Sequence, residues 1–393
     1  MKQILLASTA LVAFAGAAAA EVAISGSGRM GMVYDKSIVN DNLVRGSDGR
    51  ITRSSDAGFR FDSRVRVAFT LTQETDSGVT FGGTVRADNA SDGNKGKGGS
   101  VFMSGAFGKL SMGDVDGAAE AAVGNLSGVG YTGLGDFNDA FYLQAGNSDL
   151  DSNEELSAFA LPAALYEYTT GPASFYFSIG NPGGIAIKPD LFNLNDDDGV
   201  NIGDYEVSDA VIDHAFGVGA KYSIDNYSFG VGYESVDISG ILTDFGDDGV
   251  KGATKRTAGP DGLDNTADDT FAADSDDTQR EFSDTLNNWI LGGSATWGGF
   301  TARVQYGEGE GDNLELTQYG ISGDYTFDAY TVTAFWRSVE VKTLDDVTAR
   351  DYQPFGLGVS YDLGGGASVA AGVVDPDILG EDYRADVGVN FNF

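Results

Sequence analysis

The chain has 393 residues, with 59 acidic and 24 basic side chains, 57 glycines, 7 prolines, no cysteine and a formal net charge of −35. That excess of acid excludes non-specific nucleic-acid binding, and the lack of cysteine excludes disulfides and thiolate metal sites. A hydrophobic share of 41%, with 17 Tyr and 24 Phe, excludes a disordered tail.

Residues 1–20 read as an export signal. Lys2 gives the charged start, Ile4 to Ala15 the apolar stretch, and Ala18-Ala19-Ala20 before Glu21 the small-residue cleavage pattern. Its removal takes away Lys2 and leaves the mature chain one charge more negative. Beyond it no apolar run approaches the roughly 18 residues of a membrane helix. The longest, Ala158 to Leu165, contains Pro162. An exported, glycine-rich, acidic, Cys-free chain is either a secreted β protein or an outer-membrane barrel.

Period-2 alternation begins at the mature start. Val22, Ile24, Met30, Met32 and Tyr34 share one face, and Ser25, Ser27 and Arg29 the other. Next, Phe59, Phe61, Val65, Val67, Phe69 and Leu71 alternate with Arg60, Asp62, Arg64, Arg66, Thr70 and Thr72. At the end Tyr383, Ala385, Val387, Val389, Phe391 and Phe393 alternate with Arg384, Asp386, Gly388, Asn390 and Asn392. A soluble sandwich would also alternate, but three arginines on one strand fit better in the wet lumen of a barrel whose apolar face meets lipid. Sixteen such segments have cores near 22–34, 59–72, 79–88, 100–106, 109–114, 163–170, 173–180, 214–222, 227–236, 287–297, 300–308, 317–325, 330–339, 352–361, 367–374 and 383–393. Short turns alternate with long connections at 35–58, 89–99, 115–162, 181–213, 237–286, 309–316, 340–351 and 375–382. The reading is an all-β, sixteen-stranded antiparallel transmembrane β-barrel over 21–393, with short periplasmic turns and long outer loops. Aromatics edge the short turns: Tyr222 with Tyr227, Trp297 with Phe300, Tyr325 with Tyr330, and Tyr361. They predict a girdle at one membrane interface. An open sheet edge in lipid leaves backbone groups unpaired, so Glu21–Tyr34 should lie beside Tyr383–Phe393.

Several stretches then resemble a known family. Glu21 to Tyr34, Ser63-Arg64-Val65-Arg66-Val67 with Thr75-Asp76-Ser77-Gly78, Val101 to Asp114, Gly356 to Ser368 and the terminal Phe393 resemble general diffusion porins of photosynthetic alphaproteobacteria. The five matches run in order along nearly the whole mature chain. The resemblance implies a homotrimeric barrel in the outer membrane of a Gram-negative bacterium, with an inward-folded third loop and a terminal Phe393 read by the barrel-assembly machinery. The large loops 181–213 and 237–286 depart from the family.

Charge is unevenly placed. Of fourteen arginines, Arg29, Arg60, Arg64, Arg66, Arg86, Arg303, Arg337 and Arg384 fall on the lumenal phase, six of them on the last, first, second and third strands. Leu110 to Ile187 contains no Lys or Arg but holds Asp114, Asp116, Glu120, Asp136, Asp139, Asp149, Asp151, Glu154 and Glu155. If 115–162 folds inward, as the resemblance implies, an acidic loop faces Arg29, Arg60, Arg64, Arg66, Arg86 and Arg384 across a pore constriction. The resulting transverse field would orient dipolar solutes. The residues alone leave open a solvated outer loop, with the arginines paired to carboxylates such as Asp62.

Within 237–286, an acidic and glycine-rich stretch, Asp261, Asp264, Asp268 and Asp269 have the ligand chemistry for Ca²⁺. The EF-hand spacing and its final Glu are missing. The alternative is a loop kept soluble by charge. Gly26-Ser27-Gly28-Arg29-Met30-Gly31 matches G-x-G-x-x-G, but strand alternation runs through it and no helix follows. His214 is the single histidine and starts the eighth strand; a hydrolase built on it would need a Ser and an orienting partner around it.

The function expected is a passive channel for ions and small hydrophilic solutes that needs no cofactor and is not an enzyme. Alternatives are a substrate-selective channel of the same fold, an acidic surface adhesin, or an outer-membrane hydrolase.

Overall fold

The computed structural model describes residues 21–45, 51–90, 93–144, 162–180, 205–244, 254–257, 270–273, 278–312, 314–343, 348–377 and 383–393. Its strands are β1 (Glu21–Arg45), β2 (Ile51–Glu74), β3 (Thr80–Ala90), β4 (Gly93–Gly105), β5 (Gly108–Gly113), β6 (Pro162–Thr170), β7 (Ala173–Gly180), β8 (Tyr205–Ile224), β9 (Tyr227–Asp244), β10 (Thr254–Thr257), β11 (Thr270–Ala273), β12 (Thr278–Trp297), β13 (Phe300–Glu310), β14 (Leu314–Phe327), β15 (Tyr330–Thr343), β16 (Thr348–Tyr352), β17 (Phe355–Gly364), β18 (Ala367–Asp375) and β19 (Arg384–Asn392). One helix, α1 (Ala118–Val123), follows β5. All strand pairs are antiparallel neighbours, in a 17-segment sheet plus a separate β10–β11 hairpin. Both β16 and β17 pair with β15 and form two halves of one stave, so the barrel has sixteen.

The ends close on each other. In the β1–β19 register Ser27 meets Asn392 and Tyr34 meets Ala385. Phe393 adds a last rung, its N–H donating to Gly26 O at 2.8 Å. No edge is left in the hydrocarbon, where an unpaired backbone group would find no water.

Alternation sets which face meets lipid. Ile24, Met30, Phe61 and Val65 are exposed outward, while Val33 and Asp62 on the opposite phase are buried. Aromatics form two belts. Near the short turns Tyr227, Trp297 and Phe300 contact in sequence, and Phe327, Tyr330 and Tyr361 do likewise. A second belt holds Tyr34 with Phe59 and Tyr383, Tyr233 with Trp289, and Tyr319 with Trp336. Trp289 and Trp297 share β12. Their eight-residue separation is about 26 Å along the strand at ~3.3 Å per residue, the scale of a barrel's apolar band.

Several strands outrun the expected segments. β1 has 25 residues and β2 has 24, where a membrane crossing needs only about 9–11. The connection expected over 35–58 is therefore mostly ladder. That over 237–286 is corrected likewise: β9 continues to Asp244, β12 begins at Thr278, and β10–β11 lies between. The apolar–polar alternation that reveals a strand depends on one face meeting lipid, so it fades beyond the membrane while the hydrogen bonds continue.

The lumen is not uniformly wet. Ile212, Val236, Ile238, Leu286, Leu314, Val339 and Val341 form an apolar cluster with Phe141 and Leu143, two residues of the segment after α1. A barrel interior can be apolar where another part of its own chain covers it.

Candidate functional site

The segment between β5 and β6 lies inside the barrel through residue 144. It opens with α1, an Ala-Ala-Glu-Ala-Ala-Val sequence of strong helix formers. Extended Gly117 precedes the helix and Gly124 ends it at φ 73°. The Ala118 N–H donates to Ser178 Oγ of β7 at 2.9 Å. The helix rests on β7, β8, β9 and β12. A glycine floor permits this approach. A Cβ on Gly219 would meet Ala118 O at 2.3 Å, and one on Gly232 would meet Ala119 Cβ at 2.5 Å.

The chain then crosses the wall to the seam. Ser127 donates its N–H to Ser322 Oγ at 3.0 Å and its hydroxyl to Asp324 at 2.6 Å. Arg303 reaches Ser127 and pairs with Asp324. At the seam the Asp386 carboxylate accepts the Thr132 N–H at 2.8 Å, the Thr132 hydroxyl at 2.6 Å and the Tyr131 N–H at 3.1 Å. Burial, then the Asp62 and Asp386 carboxylates, raise the Tyr131 phenol's pKa above its usual range.

The return path is pinned equally. The Arg337 guanidinium donates to Phe137 O at 3.1 Å. The Gln318 amide clasps Phe141, accepting its N–H at 2.7 Å and donating to its carbonyl at 2.8 Å. Buried Glu234 accepts the Leu143 N–H at 2.8 Å, the Gln144 N–H at 3.1 Å and the Asn288 amide at 3.1 Å. Tyr142 donates to Gly124 O at 2.6 Å, closing the segment on itself. Burial, then Glu120, Glu234 and Asp139, push the Tyr142 pKa well above its ordinary value.

The arginines divide between paired and covered. Asp62 takes Arg29 at 2.9 Å and Arg60 at 4.0 Å. Asp88 takes Arg66 at 3.1 Å and Arg86 at 3.2 Å. The sequence offered an inward loop and arginine–carboxylate pairing as alternatives; both occur together. Arg384 pairs with Asp35 at 3.6 Å and lies 5.0 Å from the Phe137 ring. The inward segment covers Arg337 and Arg384, leaving them 5% and 9% exposed. The Arg60 side chain keeps 43%.

Among the expected acids, Asp116 is exposed, and Asp114, Glu120, Asp136 and Asp139 are half-buried. Asp136 and Asp139 shape a turn, with the Asp139 N–H donating to Asp136 O at 2.8 Å. Asp149, Asp151, Glu154 and Glu155 lie outside the described residues, as do Asp261, Asp264, Asp268 and Asp269. His214 is exposed on β8, 3.6 Å from Asp237. Sequence reading missed Glu234, Asp386, Gln318 and Asn288, the groups that hold the segment in place. Strand phase places each in the lumen but does not say which chain covers it.

A model of the Gram-negative porin family matches residues 7–376. The porin of Rhodobacter capsulatus is 32% identical over 393 aligned residues, covering 95% of this chain and 100% of that protein. The porin of Fuscovulum blasticum is 26% identical, with 95% of this chain and 100% of that protein covered. A porin structure refined at 1.8 Å superposes with a TM-score of 0.58 at 28% identity, over 95% of this chain and 100% of that one. A Rhodopseudomonas blastica porin variant shares the fold at 20% identity and a TM-score of 0.55, over 95% of this chain and 100% of that one. With its closed sixteen-stave barrel, lipid-facing belts and family match, the chain belongs to the Gram-negative porins, multi-pass outer-membrane proteins that act as diffusion channels.

Proposed function

We propose that ions and small hydrophilic solutes pass through an opening between the inward segment and the β2–β3 wall. The observation that carries this reading is the division among lumenal arginines. Those on the β15 and β19 side are buried under the segment, whereas Arg60, Arg64, Arg66 and Arg86 stay accessible on β2 and β3. Asp114, Asp116, Glu120, Asp136 and Asp139 then contribute the acidic side, with Asp149, Asp151, Glu154 and Glu155 in the same loop. Charges facing across a narrow aqueous gap are weakly screened and favour dipolar solutes over large apolar ones. Diffusion down a gradient requires no cofactor and no catalytic centre.

Replacing Arg64 and Arg66 together with Ser tests the reading. Two positive charges go, and Asp88 loses one of its partners. Single-channel conductance and cation preference should both rise. Unchanged values in the folded double variant would refute the constriction.

Three further proposals rest on sequence pattern and resemblance: residues 1–20 are an export signal, three copies form a homotrimer, and Phe393 is read by the assembly machinery. Ca²⁺ on Asp261, Asp264, Asp268 and Asp269 is a proposal from ligand chemistry alone. Calorimetric titration of the folded porin with CaCl₂ tests it, and an absence of binding heat would refute it.

A further inference from the structure

Five arginines, Arg29, Arg60, Arg64, Arg66 and Arg86, crowd one wall of the lumen. Asp62 is shared by Arg29 and Arg60, and Asp88 by Arg66 and Arg86. Both carboxylates are buried and committed. Arg64 stands between these pairs and has no ion pair of its own among the described residues.

Its neighbours aggravate the imbalance. Across the β1–β2 ladder Arg64 is directly opposite Arg29, and across β2–β3 it is opposite Ala90. Arg66 lies two residues on, on the same face. Like charges opposite each other repel. A guanidinium does not relieve that by losing its proton, because it stays charged in proteins. It presents five N–H donors in a planar fork that matches two oxygens of one anion. A multivalent oxyanion would fill the fork and offset the repulsion from Arg29 and Arg66. Chloride has no oxygen to pair with the fork and only one charge.

We infer that Arg64 anchors a binding subsite for multivalent oxyanions, the class of sulfate and phosphate, at the narrow part of the pore. The inference rests on the constriction reading above and deepens it. Such anions cross by binding and release, so they compete with the current of simple salts instead of merely adding to it.

The test is single-channel recording of the full-length porin in planar bilayers, with potassium sulfate replacing potassium chloride at constant ionic strength. Sulfate should reduce the current along a saturating curve. Arg64→Gln should raise its midpoint about tenfold, the loss of one charge-assisted anchor being on the order of 1.4 kcal/mol. Arg64→Lys, which keeps the charge without the fork, should also raise the midpoint. Asp88→Asn, which releases Arg66 and Arg86, should lower it, giving a second variant of opposite sign. If Arg64→Gln changes conductance and reversal potential but sulfate never saturates, or its midpoint stays put in every variant, the subsite is wrong and the constriction stands. If conductance, reversal potential and sulfate response are all unmoved in Arg64→Gln, the constriction reading fails and takes the subsite with it.

Discussion

Glu234, in the middle of β9, accepts the backbone N–H of Leu143 across 91 residues of chain. The same carboxylate takes the Gln144 N–H, and Asp386 does the corresponding work for Tyr131 and Thr132 at the seam. Two wall carboxylates thus hold the two far reaches of one loop by its backbone. Each strips the loop of donors that burial would otherwise leave unpaired, at a cost of about 1–3 kcal/mol per group.

Glu234→Ala should therefore loosen the loop without opening the barrel. The inward segment has no Lys or Arg, but Tyr131, Phe137, Phe141 and Tyr142 are buried sites for chymotrypsin. Losing two loop anchors of about 1–3 kcal/mol each should speed nicking within 114–144 at least tenfold. Wild-type nicking rates in the variant would show that Glu234 is no clamp.

Gly232→Val tests the floor under α1. The new Cβ meets Ala119 Cα at 2.6 Å, so the helix must move. Overpacking of this kind costs about 1–3 kcal/mol. The expected readouts are a larger, noisier conductance and a lower melting temperature. Gly293→Val, where the nearest atom is 3.5 Å away, serves as control and should leave conductance alone. Equal effects from the two substitutions would count against the floor.

How much of this could be read from the sequence varies by element. Arg60, Asp62, Arg64 and Arg66 alternate with Phe61 and Val65, and that period of two placed them on the lumenal face. Closure followed from the cost of an open edge in lipid, and the Tyr34–Ala385 pairing agrees with it. The upper half of β1 was not legible, because Lys36–Arg45 has no apolar face for lipid. Ala118–Val123 was not legible as a helix either: six residues carry propensity but no amphipathic period. Glu234 and Asp386 looked like any other lumenal carboxylates. Their role depends on a loop arriving from 90 or more residues away in sequence, and no local pattern encodes that.

Phe393 has two roles that two variants separate. Its backbone pairs with Gly26 while its ring is 77% exposed to the lipid side. Deleting it removes the last rung of the seam as well as the ring. Phe393→Ala keeps the rung. If the ring serves recognition, outer-membrane levels should fall in both variants, while Phe393→Ala refolded in detergent should melt close to the wild type. Normal surface levels of Phe393→Ala would rule out the recognition role.

Ion preference weighs two charge sets against each other. The chain's formal charge of −35 is concentrated in loops, and Asp62 and Asp88 offset much of the arginine wall. A cation preference is therefore expected at low salt. It should shrink as the Debye length falls from roughly 30 Å at 0.01 M to about 3 Å at 1 M. Reversal potentials across a salt gradient, with and without chelator, read this directly. Anion preference at low salt in chelator would mean that the arginines outweigh the loops.

On the proposed reading, the open path runs past Arg64. The chain has no cysteine, so Arg64→Cys introduces a unique thiol without further engineering. A bulky methanethiosulfonate reagent added to a single open channel should lower its conductance in one step per copy, and a reductant should restore it. A thiol that mass spectrometry shows to be fully modified, in a channel whose conductance does not change, would place the path elsewhere, away from Arg64.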